Sequence, residues 1–268
     1  MSDFSFYFEK GEFVLEVSKK NFKKSDGSLV FKNKMNSILF PVNFTARDYD
    51  IFFTICWFAK QKGYVENKGF IEMPYSEIVR FFDKGINKTR FNDEVKSFAN
   101  KVLGFKGSAI YRTEYVDTDN DEVTTVGVFF IEIEAFRNKQ ILRFKINPKA
   151  LDILFGVLQF MKINLYDFVA IKGKFAKTLY RLLLQYENIK PDKNGFKFVN
   201  FSRSDFERLM AMPDYYESSN IDTRVILPSV KELNENYFEK LIFEKQYLAN
   251  DNKKIIGYSF KFILKDAS

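Results

Sequence analysis

Histidine is absent from all 268 residues. That excludes Ser-His-Asp and Cys-His nucleophilic catalysis, HExxH zinc sites and the histidine-metal chemistry of nicking initiators. The P-loop and G-x-G-x-x-G patterns are also absent, so the usual phosphate cradles are missing. We therefore expect no enzyme activity, no metal and no cofactor. A single cysteine, Cys56, cannot form an internal disulfide, and its apolar neighbours place it in a core. The longest apolar run, residues 51–59, is interrupted by Thr54 and is about half of the ~18 residues that a membrane helix needs. The N-terminus lacks a basic stretch leading into a clean apolar segment, so no signal peptide is expected, and the cytoplasm is.

Basic residues and aromatics are plentiful. Lys and Arg number 42 against 35 Asp and Glu, a net charge of +7. The two halves share this excess. It suits a nucleic-acid partner without establishing one. The 33 phenylalanines come with abundant Tyr, Ile, Asn and Lys, so most of the rings are expected in the core rather than in a stacking groove. The length and the 46% hydrophobic content fit about two domains.

An internal repeat organises the chain. Residues 45–62 read as a helix capped by Thr45, with Ile51, Phe52, Ile55, Phe58 and Ala59 on one face and Gly63 as its stop. Shifted by 128 positions, Ile51, Phe52, Ile55 and Phe58 fall on Leu179, Tyr180, Leu183 and Tyr186 of a second amphipathic helix. At the same offset a short strand around Ile71 falls on one around Val199. Two short helices follow, for which Ser76 and Ser204 are the expected caps, Ser204 in a capping box with Glu207. The offset then grows to 135 across a longer loop, 211–221, before a third helix in each copy. Phe91, Val95, Phe98 and Val102 mark the first of these. Ile226, Val230, Leu233 and Tyr237 mark the second, and a Thr-Arg pair precedes each.

β-like chain follows both third helices. In the first copy residues 109–116 and 123–135 read as a long hairpin around the acidic turn 117–122, with a further strand over 141–146. In the second, 240–248 and 254–264 flank the turn 249–252. Helix, strand, helix, helix, hairpin is the order of a winged helix, whose third helix enters the major groove. The fold class is thus α+β, two tandem winged-helix domains, divided as 1–147 and 148–268 with an apolar join over 148–172.

The second third-helix turns Arg224, Lys231 and Glu235 away from its apolar stripe, with Asn234 beside them and Thr223 at the start. Arg reads guanine bidentately, Asn reads adenine and Glu accepts from cytosine. The same face would also pass as ordinary solvated surface. Pro228 is tolerated only near a helix start, so the regular helix is expected to begin close by. The first copy offers Thr89, Arg90, Asn92 and Lys96, a less basic face suited to positioning on phosphates. The second hairpin carries Lys240, Lys245, Lys253 and Lys254, expected on phosphates. The acidic turn 117–122 is expected to be a solvated turn whose charge keeps the first hairpin away from DNA.

The residues 175–186, the run 204–210 and above all Thr223-Arg224-Val225-Ile226-Leu227-Pro228-Ser229-Val230-Lys231-Glu232-Leu233-Asn234 resemble the iteron-binding plasmid replication initiators. Ser229 and Leu233 replace that family's usual alanine and isoleucine. The resemblance implies a C-terminal winged helix that reads repeated double-stranded origin DNA, and an N-terminal one for phosphate contact and dimerisation. It also implies monomers that recruit the host initiator and replicative helicase, and homodimers that repress their own gene. A winged-helix transcriptional regulator and a protein–protein adaptor are the alternatives.

Overall fold

The computed structural model describes residues 4–9, 12–17, 27–62, 69–82, 87–103, 110–116, 118, 120–155 and 160–265. The proposed helix stop Gly63, and Ala109, Asp117 and Asp119 of the first hairpin, lie outside them. The chain opens with the antiparallel pair β1 (Phe4–Glu9) and β2 (Glu12–Val17), followed by β3 (Ser28–Lys32). The first copy then runs α1 (Ala46–Lys62), β4 (Ile71–Pro74), α2 (Tyr75–Val79) and α3 (Lys88–Leu103). After it come β5 (Ile110–Val116), β6 (Glu122–Val128), β7 (Phe130–Phe136) and β8 (Ile141–Ile146). The join holds α4 (Pro148–Phe155), β9 (Phe160–Asn164) and α5 (Leu165–Ala170). The second copy runs α6 (Lys174–Leu184), β10 (Lys197–Ser202), α7 (Arg203–Leu209) and α8 (Ser218–Asn220). A π-helical turn (Ile221–Ile226), α9 (Leu227–Asn236), β11 (Phe238–Leu248) and β12 (Asp251–Leu264) complete it.

The repeat holds in the backbone. One copy forms the antiparallel sheet β4-β8-β7 and the other β10-β12-β11, so each short strand pairs with the last strand of its own unit. Both sheets carry a bulge in the same place. The ladder skips Ile131 just after buried Phe130, and Glu239 just after buried Phe238. A bulge of this kind adds one residue to one strand and steepens its twist, which turns both wings alike.

This pairing corrects the expected first wing. The equivalent of β11–β12 is β7–β8, whose turn spans 137–140, while β5–β6 is a separate two-stranded hairpin. The long strand expected over 123–135 breaks at Phe129, which is fully buried and whose carbonyl accepts from the Asn147 N–H. The wing turn of the first copy therefore carries Arg137 and Lys139, not the acids of 117–122.

The helix starts follow their caps. Thr45 and Asp48 cap α1 reciprocally: the Thr45 N–H donates to Asp48 Oδ2 at 2.7 Å, and the Asp48 N–H to Thr45 Oγ1 at 3.3 Å. The later caps lie upstream of the expected serines. Ser202 caps α7, accepting from the Asp205 N–H, so Ser204 falls inside the helix. In the first copy Pro74 holds the N-cap position and Ser76 lies inside α2. Proline lacks an N–H, but the N-cap position does not need one, so the shorter helix starts without a side-chain cap.

Neither first helix is merely amphipathic. α1 is buried from Asp48 to Ala59 and α6 from Ala176 to Leu184, because they pack on each other and are covered elsewhere, α1 by α3, α5, β3 and β4 and α6 by α9, β9 and the π-turn. Phe40, Phe44, Tyr49, Phe52 and Phe53 interlock around α1 in edge-to-face and tilted pairs, with centroids 4.8–6.2 Å apart. Phe198 is exposed on β10. β9 pairs along its length with β3, and α4 packs on β3 and α1. α4 and β9 are thus tied to the first copy, across the boundary expected at 147/148.

The α1–α6 seam is partly ionic. Lys177 Nζ lies 2.7 Å from Asp50 Oδ1 and also donates to the carbonyls of Phe168 and Val169. Both side chains are buried. Burial pushes the Asp50 carboxyl up to about 6 against the pull of the Lys177 ammonium, and burial lowers Lys177 in turn. One turn on, buried Arg181 donates to the Met35 carbonyl at 2.9 Å and to Asn36 Oδ1 at 2.8 Å, with Phe40 beneath it. Removing one member of a buried pair strands the other charge and costs about 3–5 kcal/mol, whereas an apolar pair of similar volume is close to neutral. Asp50→Leu should therefore destabilise by that amount in urea denaturation at pH 7.5. The double variant Asp50→Leu/Lys177→Met should recover most of the loss. Equal losses for the two would show that the penalty does not come from stranding the Lys177 charge.

Candidate nucleic-acid interface

The helix that would face DNA is irregular at its start. Pro228 has no N–H to give the Arg224 carbonyl, and its ring would crowd that carbonyl in a regular α-helix. The chain widens instead: the Leu227 N–H reaches back five residues to the Asp222 carbonyl, and regular α9 begins at Leu227 with Pro228 in its first turn. The α-helix thus starts where proline indicates, but helical chain reaches back to Ser218, so Thr223 and Arg224 sit inside it. Single π-turns of this kind occur often at functional positions.

The structure sorts the expected second-copy residues into two groups. Arg224, Lys231 and Glu235 are exposed along one side of the π-turn and α9, and Lys253 and Lys254 are exposed at the tip of the β11–β12 wing. Thr223 is exposed too, its hydroxyl donating to the Ser219 carbonyl at 2.8 Å. Asn234 is different. Its amide donates to the Leu241 carbonyl at 2.9 Å and its Oδ1 accepts from the Leu241 N–H at 2.6 Å. Both ends of the amide are engaged in clipping α9 to β11, which corrects the expectation that it faces a base. Lys245 is half-buried in an ion pair with Asp222, fastening the wing to the π-turn rather than presenting a cation. Lys240 is exposed, but it lies at the opposite end of β11 from the wing tip, about 30 Å away at ~3.3 Å per residue, with its ammonium 5.6 Å from the Phe196 ring centre.

Other residues of the patterned run are scaffold. Glu232 reaches from α9 to the N-terminus of α6, accepting from the N–H groups of Lys172 at 2.6 Å and Gly173 at 3.1 Å. A carboxylate there also meets the positive end of the helix. A Cβ on Gly173 would stand 2.9 Å from Glu232 Oε2, so a side chain there would push the carboxylate away. Ser229 is buried, its hydroxyl donating to the Val225 carbonyl at 2.6 Å. In β12, a Cβ on Gly257 would stand 2.5 Å from the Phe201 carbonyl, in the space where Gln246 bridges to Asn200 at 3.0 Å.

In the first copy Asn87 caps α3 by accepting from the N–H groups of Thr89 and Arg90. Thr89, Arg90 and Lys96 are exposed. Arg90 pairs with Glu94 at 3.1 Å, and Glu94 is shared with Arg47 at 3.4 Å. Asn92 is half-buried and accepts from Gln140 Nε2 at 3.1 Å, tying α3 to the β7–β8 turn. That turn exposes Asn138 and two cations, Arg137 and Lys139, that were not among the residues expected to meet DNA. The signal for them was the polar break between two β-like runs; only sheet pairing identifies that break as the wing.

Asn234→Ala would leave the Leu241 N–H and carbonyl without partners in a half-buried site. It should lower stability by about 1–3 kcal/mol in chemical denaturation. Its folded fraction should bind specific and scrambled duplexes in the wild-type ratio. A changed ratio with unchanged stability would restore Asn234 to the reading face.

Comparison with known proteins follows the same geometry. The family model described as "Initiator Replication protein, WH1" matches residues 28–184, and "Initiator Rep protein, WH2" matches residues 202–262. A curated relative from Bifidobacterium longum (strain NCC 2705), named "Probable replication protein rep", is 23% identical over 235 residues, which is 87% of this chain and 71% of the relative. The fold is that of the Pi initiator protein, solved in complex with iteron DNA: the TM-score is 0.65 at 10% identity, covering 91% of this chain and 100% of that one. No helix among the described residues is long and apolar enough to cross a membrane. With both of its winged-helix domains in tandem, the chain belongs to the initiator replication protein family.

Proposed function

We propose that this protein is a plasmid replication initiator that binds repeated, double-stranded origin DNA, reading bases with the π-turn and α9 and gripping phosphates with both wings. The observation that carries the reading is the placement of Arg224 and Lys231 on the helix face beside a wing tipped by Lys253 and Lys254. Family membership and the fold shared with an initiator solved on iteron DNA support it. In the first copy Arg137 and Lys139 on the wing, with Lys96 on α3, supply the positioning contacts. We further propose that the protein works in the cytoplasm as monomers that recruit a host initiator and replicative helicase. Homodimers repress its own gene and limit plasmid copy number.

No catalysis is part of this reading. The sequence has no histidine, and burial pushes the Tyr258 hydroxyl up to about 12 and raises those of Tyr49 and Tyr180, which makes them poor nucleophiles at neutral pH. The protein holds DNA, and partner machinery performs the chemistry.

The test starts from the duplex that the wild-type protein selects out of a random-sequence library. Each phosphate contact releases counterions, so affinity should fall linearly with log salt. Lys253→Ala/Lys254→Ala, and separately Arg137→Ala/Lys139→Ala, should weaken selected and scrambled duplexes about equally. Each should flatten the salt slope by about 1 per lost contact. Arg224→Ala should cost about 1–3 kcal/mol on the selected duplex and far less on the scrambled one. Selection of a repeat that recurs beside the gene supports an initiator. A lone palindrome there points to a regulator instead, and failure to retain any duplex at low salt overturns the DNA reading.

A further inference from the structure

The two copies treat their matching arginines differently. Arg90 of the first lies against a carboxylate: its Nε donates to Glu94 Oε1 at 3.1 Å. Arg224 of the second lies over an aromatic ring, with its guanidinium carbon 5.8 Å from the centre of Tyr216. A carboxylate engages the N–H edge of a guanidinium, the edge that would otherwise meet guanine. A ring engages the face and leaves the five N–H groups available in the plane.

The ring is itself held in place. Tyr216 is half-buried and packs against the core, and its N–H donates to the Pro213 carbonyl at 3.0 Å. The loop that carries it leaves α7 through Ala211 in the left-handed region, φ +48°, with the Met212 N–H donating to the Glu207 carbonyl at 3.2 Å and the Met212 side chain buried. Tyr215 stands edge-on to Tyr216 at 5.3 Å between centroids. This loop accounts for most of the growth in offset: the Thr-Arg pairs stand 134 apart, so it is six residues longer than its counterpart, and the offset reaches 135 only past Arg224, within the π-turn.

We propose that Tyr216 is a positioning residue for Arg224: its fixed ring holds the guanidinium flat and open toward the base edge, so base discrimination by the second domain depends on the long loop. The proposal rests on the DNA-reading function above. It also bears on the division of labour between the copies, because Glu94 already holds the Arg90 Nε–H and competes with a base for that guanidinium, whereas the ring takes none of the Arg224 N–H groups.

The test uses the full-length protein with the wild-type-selected duplex and its scrambled counterpart. Tyr216→Leu should lower the selected-to-scrambled affinity ratio about two- to fivefold, the worth of an exposed cation–π contact. Affinity for the scrambled duplex should stay unchanged. Tyr216→Phe should keep the wild-type ratio. In an Arg224→Ala background, Tyr216→Leu should change the ratio no further. An independent readout in the free protein is the ring-current shift on the Arg224 Cδ protons, expected in wild type and Tyr216→Phe and lost in Tyr216→Leu. The proposal is overturned if that shift is absent in wild type, if Tyr216→Leu weakens both duplexes equally, or if its effect persists without Arg224. If Arg224→Ala itself leaves the ratio unchanged, base reading by Arg224 is what fails, and the role of Tyr216 falls with it. If Arg224→Ala lowers the ratio and Tyr216→Leu does not, only the positioning role is wrong.

Discussion

The ion pair of Asp50 and Lys177 sits where the two copies meet, and the arrangement of everything outside it follows from that seam. Each partner belongs to the first helix of one winged helix, and each of those helices is buried on both sides. An apolar seam between two helices could slide by a turn with modest loss, since hydrophobic contact is not directional. A buried carboxylate and ammonium cannot, because a slip would leave two desolvated charges apart. Lys177 adds the carbonyls of Phe168 and Val169, and Arg181 reaches Met35 and Asn36 from the next turn. The registry of α1 against α6 is thus specified by hydrogen-bond geometry. It carries the third helices with it, since α3 packs on α1 and α9 on α6.

Outward from that seam, side chains divide by task. Glu232, Asn234 and Ser229 lie in the most patterned stretch of the sequence, yet their polar atoms bond to the backbone of α6, β11 and the π-turn. The Asp222–Lys245 pair adds a strut from the π-turn to the wing. These bonds hold α9 and β11–β12 as one rigid piece, which a base-reading surface needs, because a contact displaced by an ångström no longer discriminates. The DNA contacts proposed above fall to the exposed cations around this frame. Their number is small, and their value depends on how well the frame holds them.

The repeat, the two first helices and the third-helix stripes were legible in the chain because apolar periodicity and local capping report directly on burial of one face. The cap at Thr45 and the start of α9 at Pro228 were legible for the same reason: both depend on backbone groups within one turn. Roles of polar residues were read less well. Asn234 and Lys245 have the chemistry to contact DNA, and helical spacing put Asn234 beside the outward face. What removed them was a partner seven residues away for one, and twenty-three residues away for the other.

By itself, then, the sequence determined the number of copies, their element order and the basic face of the second recognition helix, because these follow from periodicities of one or two turns and from composition. Tertiary structure alone decided the rest. It selected β7–β8 as the first wing over the acidic hairpin nearer in sequence, because sheet order depends on which strand β8 pairs with beyond β7. It buried α1 and α6 all round, since each is covered by a neighbour far away in the chain. It set Arg224 on the Tyr216 ring, whereas Glu94, four residues from Arg90 on α3, is a partner that the helix period alone supplies. Where a polar group's partner lies beyond its own helix turns, no local pattern encodes it.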